Sequence, residues 1–370
     1  MSEFKVPRSI WEEGDAVAVL DQTLLPHRRA TAHLTTLAEA AHAIRSMQVR
    51  GAPLIGVTAA YGVALAMGRD PSDGGLAAAC ATLAATRPTA VNLHWALERM
   101  RRVLAPLAET ERTAAAWTEA RAIAAEDEAA NRAIGRHGLE LITALAAEKR
   151  RALTIATHCN AGSLATVTRG TALAPIYAAA EAGIAVHVLV SETRPRNQGL
   201  LTAWELGEAG VPFTLIVDNA AGHLMARGGV DLVMVGADRI AANGDTANKV
   251  GTYLKALAAR AHGVPFYVVA PSTTIDWQCL AGTAIPIEER AAEEVRTVCG
   301  LAPDGTPARV AIAPEVVAAA NPAFDVTPAA LISAIVCERG VAPPGELGRL
   351  FPEQPIPTPP LPLKGRESAA

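Results

Sequence analysis

The chain has 370 residues, half of them hydrophobic and 19% charged, with a formal charge of -4. That length predicts about two domains with large cores. The acidic balance excludes nucleic acid as the principal partner, because a phosphate backbone is held by a basic surface.

The Met1 start shows no basic segment leading into an apolar stretch, and there is no run of about 18 or more apolar residues, so neither export nor a membrane contact is expected. Cys80, Cys159, Cys279, Cys299 and Cys337 are scattered without a C-x-x-C pair. Neither a disulfide framework nor a zinc site is predicted, which points to a reduced, cytoplasmic protein.

Along the chain, AVAVLDQTLLP (16–26) alternates and then meets a proline, the pattern of a strand or hairpin. Alanine-rich segments at 36–48, 53–68, 90–105 and 112–147 repeat apolar residues every three and four positions and are predicted helices. The last has no proline and no stop before Gly135 and Gly138, so it is predicted to bridge two units.

Five nearly continuous apolar runs follow: RALTIATHC (151–159), IAVHVLVSET (184–193), VPFTLIVD (211–218), VDLVMVGAD (230–238) and PFYVVAP (265–271), separated by amphipathic stretches. Such runs suit a parallel sheet covered on both faces, where ligands sit outside the carboxyl ends of the strands. The expected fold is α/β: a Rossmann-like parallel-sheet domain over 126–342, preceded by a smaller, mainly helical domain with a short β element over 1–125. The remainder, 343–370, carries PPGELG and PIPTPPLPL and is predicted to be a disordered tail.

The strand ends place Cys159, Glu192, Asp218 and Asp238 at the expected site. CNAGSLATVTRG after the first strand lacks G-x-G-x-x-G, and no phosphate-binding G-x-x-x-x-G-K-[ST] occurs, so a nicotinamide enzyme is disfavoured. The turns carry groups suited to a small phosphorylated molecule. Asn160, Gly162 and Ser163 are predicted to open one helix, Asn248 and Lys249 another, Arg50 and Gly51 precede a helix started by Pro53, and Arg87 precedes a fourth. Each has a structural reading as well: a solvated arginine, an N-cap asparagine, a small buried cysteine. Asp238 after VDLVMVGA is harder to explain structurally, because a desolvated carboxyl needs a partner. A buried carboxyl can act as a general acid, and a thiol beside it could move a carbon-bound proton, which together need no metal.

THCNAGSLAT (157–166), SETRPRNQGLLTAWEL (191–206), VDNAAGHLM (217–225), VGADRIAANGDTANKVGTY (235–253) and RGAPLIGVTAAYG (50–62) closely resemble the methylthioribose-1-phosphate isomerase family of methionine salvage. LDQTLLP, RPTAVNLHWAL, IPIEER and NPAFDVTP fit too, so the resemblance runs from about residue 15 to 340. It implies conversion of 5-methylthioribose 1-phosphate to 5-methylthioribulose 1-phosphate by a cytoplasmic homodimer without a cofactor. It also implies Cys159 and Asp238 as catalytic residues, with Arg50, Gly51, Ala52, Arg87, Gln198, Asn248 and Lys249 binding substrate.

Ser191, where an aspartate is usual, and Val167, Thr168 and Arg169, where small residues are usual, depart from the family pattern. Both departures are expected beside the site, where they would widen the choice at carbon 5, for example toward 5-deoxyribose 1-phosphate. Leu54 and Ile55 are expected contributors to that pocket. Two other readings share this fold. One is a ribose-1,5-bisphosphate isomerase, which needs a second cationic cluster that the sequence does not display; the other is a non-enzymatic regulatory subunit of a translation-initiation exchange factor. The cysteine and aspartate within long matching motifs favour the enzyme.

Overall fold

The computed structural model describes residues 6–87 and 91–354. A three-stranded antiparallel sheet opens the chain: β1 (Ile10–Glu13), β2 (Ala16–Leu20) and β3 (Thr31–Leu34). Helices α1 (Leu37–Ser46), α2 (Ala52–Met67), α3 (Asp73–Ala84), α4 (Val91–Leu104) and α5 (Glu109–Lys149) follow. The Thr36 hydroxyl accepts the Glu39 amide at 3.2 Å and the Glu39 carboxylate accepts the Thr35 amide at 2.7 Å, which closes the first turn of α1 from both sides. Helix α2 is apolar all round and is accordingly packed on several sides, by α1, α3, α4 and α5.

Helix α5 has 41 residues and spans about 60 Å. Its Ala116, Ala120, Ile123 and Ala124 belong to the core built around α2, whereas Ile134 and Ile142 belong to the core of the following sheet. The position expected as a boundary, near 125, thus falls inside a continuous helix, where its buried residues pass from one core to the next.

The large sheet is built from β4 (Leu153–Thr157), β5 (Val186–Ser191), β6 (Phe213–Ile216), β7 (Leu232–Val235) and further strands introduced below. Connecting them are α6 (Ala174–Glu181), α7 (Gly199–Glu208) and α8 (Ala220–Ala226). Burial on both faces explains the apolar runs. Ile155 of β4 and Val188 and Val190 of β5 enter the core with α5, α6 and α7, while Ala156 and Leu189 enter the core with α8 and a ninth helix.

After β7 the chain leaves the large sheet for β8 (Arg239–Ala241) and β9 (Thr246–Lys249), then forms α9 (Thr252–Ala261) and rejoins the sheet as β10 (Phe266–Val269). Strand β11 (Ile275–Asp276) precedes α10 (Ala292–Arg296) and a hairpin, β12 (Thr297–Leu301) with β13 (Pro307–Ala311). Strand β14 (Phe324–Thr327) joins β11, β8 and β9 in a four-stranded sheet, and β15 (Ala334–Cys337) and β16 (Gly340–Ala342) complete the large one.

The large sheet has the order β16-β15-β10-β7-β4-β5-β6 and is parallel except for β16. Ile155 faces Val188 on one side and Leu232 on the other. From β4 the chain winds outward through β5 to β6, then crosses back to place β7 on the opposite side. The switch point between β4 and β7 is where such sheets open a crevice.

Three expectations need correction. Asn248 and Lys249 do not open a helix: they end β9, because Asn243-Gly244-Asp245 turns the chain into a hairpin, with the Asn243 side chain accepting the Asp245 amide at 3.0 Å and Gly244 at φ 88°. Ser163 opens only a three-residue 3-10 turn, Ser163–Ala165, and α6 begins later, at Ala174. Residues 343–354 are not a disordered tail. Pro344 opens a 3-10 turn, where its missing N–H costs nothing, and Leu347 and Phe351 are buried against the sheet, Phe351 with its ring 5.2 Å from that of Trp277. Residues 355–370 of the expected tail lie outside the described residues.

Candidate active site

Strand β4 delivers His158, Cys159 and Asn160 beyond its carboxyl end, and β7 delivers Gly236, Ala237 and Asp238 beside them. Helix α2 points its N-terminus at the same crevice. Gly51, at φ 91°, lies so close to the chain that a Cβ there would fall 2.4 Å from the Ala165 Cα, so only glycine lets α2 approach. One cavity is lined by Arg50, Gly51, Ala52, Arg87, Cys159, Gln198, Asp238, Asn248 and Lys249. The two residues that the resemblance implies as catalytic and the seven that it implies as substrate-binding therefore face one space.

The other strand-end carboxylates do not. Asp218 accepts the main-chain amides of Thr193 and Arg194, both at 2.8 Å, and so serves the loop after β5. Glu192 is not part of the cavity wall, nor is Leu54, which is buried in the α2 core; Ile55 does reach the cavity. The departures from the family pattern also stand back from it: Ser191 is buried under the loop, the Val167 amide donates to Asp127 at 2.8 Å, and Arg169 pairs with Glu181 at 2.8 Å.

The backbone at Cys159 is left-handed, φ 63°, a conformation that costs a non-glycine residue and persists where surroundings enforce it. Two threonine hydroxyls do so. Thr193 accepts the Cys159 amide at 2.9 Å, and Thr202 donates to the Cys159 carbonyl at 2.7 Å. Neighbouring His158 lies against the Val250 carbonyl at 2.8 Å through Nε2, and burial holds it well below the ordinary imidazole range. It is a neutral prop.

Burial dominates the titration of Asp238 and Cys159. The Asp238 carboxyl is pushed up by desolvation, against Lys249, Arg50 and Arg87, which favour its charged form. The Cys159 thiol is also pushed up by burial, opposed by Arg50 and Lys249. Lys249 is pushed down by its own burial, its ammonium donating to the Ala323 carbonyl at 2.8 Å and lying 4.8 Å from the Phe324 ring centre. The site thus pairs a carboxyl that keeps its proton to higher pH with a thiol that neighbouring cations help to ionise.

The basic groups around the cavity are arranged differently from the helix-start expectation. The Ser163 amide is taken by Glu205, at 2.6 Å from Oε2, so it is not free for a ligand. Instead the cations converge as side chains: Arg50 and Arg87 from the helical domain, Lys249 from β9. Arg196, Arg239 and Arg290 also line the cavity and were missed in the sequence, although RPRNQ, GADRI and IEER lie in motifs already singled out. Each has a carboxylate: Glu294 at 2.8 Å from Arg196, Asp276 at 3.4 Å from Arg239, Glu288 and Glu294 both at 2.9 Å from Arg290. Among the described residues no cluster of three or more His, Cys, Asp or Glu is arranged to hold a metal ion, and no helix is long and apolar enough to cross a membrane.

The Initiation factor 2 subunit family profile matches residues 48–344. Methylthioribose-1-phosphate isomerase of Dechloromonas aromatica (strain RCB) is 61% identical over 341 residues, covering 92% of this chain and 94% of that protein. The crystal structure of 5-methylthioribose 1-phosphate isomerase from Pyrococcus horikoshii OT3 superimposes with a TM-score of 0.83 at 41% identity, covering 94% of this chain and 97% of that one. The crystal structure of translation initiation factor eIF-2B, subunit delta, from A. fulgidus superimposes with a TM-score of 0.78 at 38% identity, covering 93% of this chain and 99% of that one.

Proposed function

The chain belongs to the Initiation factor 2 subunit family, within its methylthioribose-1-phosphate isomerases, and from that premise we propose how its cavity performs an aldose to ketose isomerisation. The substrate is 5-methylthioribose 1-phosphate and the product 5-methylthioribulose 1-phosphate, a step of methionine salvage. The observation that carries the reading is the meeting of Cys159 and Asp238 with Arg50, Arg87 and Lys249 in one cavity at the switch point of the sheet.

The phosphate on carbon 1 prevents the ring from opening as a free hemiacetal would. Asp238, whose burial favours the protonated form, gives its proton to the ring oxygen as the bond from that oxygen to carbon 1 breaks, leaving a cation at carbon 1. The Cys159 thiolate removes the proton of carbon 2, which converts the cation into an enol phosphate. Return of that proton to carbon 1, while Asp238 recovers one from the hydroxyl of carbon 2, yields the ketose and restores both groups. Arg50, Arg87, Lys249, Asn248 and Gln198 hold the phosphate and the sugar hydroxyls so that the phosphate is retained.

A ribose 1,5-bisphosphate substrate would need a second phosphate site. The carboxylate partners of Arg196, Arg239 and Arg290 already compensate those charges, which favours the singly phosphorylated sugar. The chain is further read as a homodimer, supported by the apolar edge of β6, where Leu215 is 42% and Val217 60% exposed. Five unpaired cysteines support a reducing, cytoplasmic setting.

A phosphorus and carbon NMR time course with 5-methylthioribose 1-phosphate tests the reading, with 5-deoxyribose 1-phosphate and ribose 1,5-bisphosphate in parallel. Ketose should form from the first and not from the bisphosphate. Absence of conversion of all three would overturn the isomerase reading.

A further inference from the structure

Helix α7 carries a stripe whose last member, Glu205, the reaction as described does not use. Gln198, at its N-cap, and Thr202 and Glu205 are spaced by four and three residues and so share one face. Gln198 lines the cavity and Thr202 holds the Cys159 carbonyl. Glu205 is fully buried and touches no part of the cavity wall except through Asn160.

Its carboxylate is surrounded by donors. Oε1 accepts the Asn160 side-chain amide, and Oε2 accepts the Ser163 amide at 2.6 Å and the Ser163 hydroxyl at 2.5 Å. Room for this carboxylate is made by Gly162, where a Cβ would lie 2.0 Å from Oε1. With its amide nitrogen held by Glu205, Asn160 has one orientation, and its oxygen must face the opposite way. There it meets Arg50: one terminal guanidinium nitrogen donates to the Asn160 side-chain oxygen, and the other donates to the Asn160 main-chain carbonyl at 2.6 Å.

We propose that Glu205 is a positioning residue for anion binding, acting through Asn160 to aim the Arg50 guanidinium at the phosphate. A guanidinium has five N–H donors in a rigid plane. Two are spent on Asn160, which fixes the plane, and the remaining three point in set directions. Without Glu205 the Asn160 amide nitrogen keeps only the Thr202 hydroxyl, at 3.1 Å, as a partner, and a flipped amide would set its NH2 group against the guanidinium, donor against donor. Its bonds to Ser163 and to the Tyr177 hydroxyl stay within the fold, whereas the bond to Asn160 is the one that connects it to the cavity.

The proposal rests on the isomerase reading for the identity of the anion, so its test measures binding separately from turnover. Affinities of Glu205→Gln for inorganic phosphate and for 5-methylthioribose 1-phosphate are measured by calorimetry beside the wild type, with KM and kcat on the same samples. Affinity for both ligands and KM should each worsen about tenfold, the order expected for a mispositioned charge-assisted pair, while kcat changes less. The loss should vanish when Glu205→Gln is made in an Arg50→Ala background. Asn160→Ala, which leaves the Ser163 bonds of Glu205 in place, should reproduce the loss, and it decides the matter if Glu205→Gln does not fold. Unchanged affinity in both single variants, or an effect of Glu205→Gln that persists undiminished without Arg50, overturns the proposal. A wild type that binds phosphate in this Glu205-dependent way yet makes no ketose would instead refute only the isomerase reading.

Discussion

Thr202 donates its hydroxyl to the main-chain carbonyl of Cys159 at 2.7 Å, holding the catalytic candidate in a left-handed conformation from one side while Thr193 holds the amide from the other. Such a conformation costs a non-glycine residue on the order of 1–3 kcal/mol, so removing a clamp lets the thiol swing out of line. Thr202→Val keeps the shape and deletes the hydroxyl. It is expected to lower kcat about tenfold or more, with a smaller change in KM, in steady-state assays. A kcat equal to the wild type would show that the clamp does not serve catalysis.

The pH profile follows from the two raised groups. The active form of the pair holds one proton, on Asp238, with Cys159 as thiolate. Between the two pKa values one proton is shared, and its tautomers have a constant ratio, so kcat/KM should be flat there. Below the Asp238 pKa both groups are protonated and the rate falls; above the Cys159 pKa both are ionised and it falls again. Because burial raises both, the acid limb should lie above the ordinary carboxylate range and the alkaline limb above the ordinary thiol range. Asp238→Asn leaves only the thiol to ionise, so its profile should lose the alkaline limb and rise once, through the Cys159 ionisation, and both it and Cys159→Ser should cut kcat by about 10²–10⁴ while calorimetry finds sugar phosphate binding within severalfold of the wild type. An alkaline limb that survives in Asp238→Asn would assign it to another group.

Stability carries a separate pH signature at Asp127. Burial pushes its carboxyl from the ordinary 3.8 up to about 7, against the Val167 amide at 2.8 Å and Asn131, which favour the charged form. The folded state thus keeps a proton that the unfolded chain releases near 3.8, so stability falls as pH rises across that window and levels off above about 7. Asp127→Asn retains an oxygen for the Val167 amide and has no charge to bury. It should be more stable than the wild type above pH 7, by on the order of 2 kcal/mol after allowance for partial exposure, and the gap should close toward pH 4. Parallel thermal melts at pH 4, 6 and 8 read this directly, and a pH-independent gap would rule it out.

The sheet was legible because β4, β5, β7 and β10 are buried on both faces, which leaves uninterrupted apolar runs with polar ends, while the edge strand β6 was legible from its apolar residues alone. Position along the sheet was not, since nothing in a run of valines says which strand it pairs with. Cys159 and Asp238 were readable as strand ends; that they face each other follows from the crossover between β6 and β7. Lys249 was expected at a helix start after the fourth strand, although Asn243-Gly244 is a hairpin signal in its own right. Glu205 was silent: in LLTAWEL it reads as an ordinary exposed helix residue, and only the fold turns it toward Asn160. Short strands such as β14 and β15 were missed because four residues carry too little periodicity to separate from a loop.

Strand β6 ends the large sheet, pairing only with β5, and leaves its other edge open. An open edge with exposed apolar side chains is a template for another chain, and proteins that remain monomeric blunt such edges with charge or proline. Leu215 and Val217 do the opposite. Leu254, at 64%, and Leu257, at 40%, are exposed on α9 as well. A homodimer closing over this edge should sediment at twice the chain mass, 38.3 kDa. Placing a charge on the edge with Leu215→Lys and Val217→Lys should shift the wild-type species toward monomer in sedimentation velocity, with a far-UV spectrum unchanged. A double variant that still sediments as a dimer would move the interface elsewhere, and a wild type that sediments as a monomer at micromolar concentration would remove the dimer altogether.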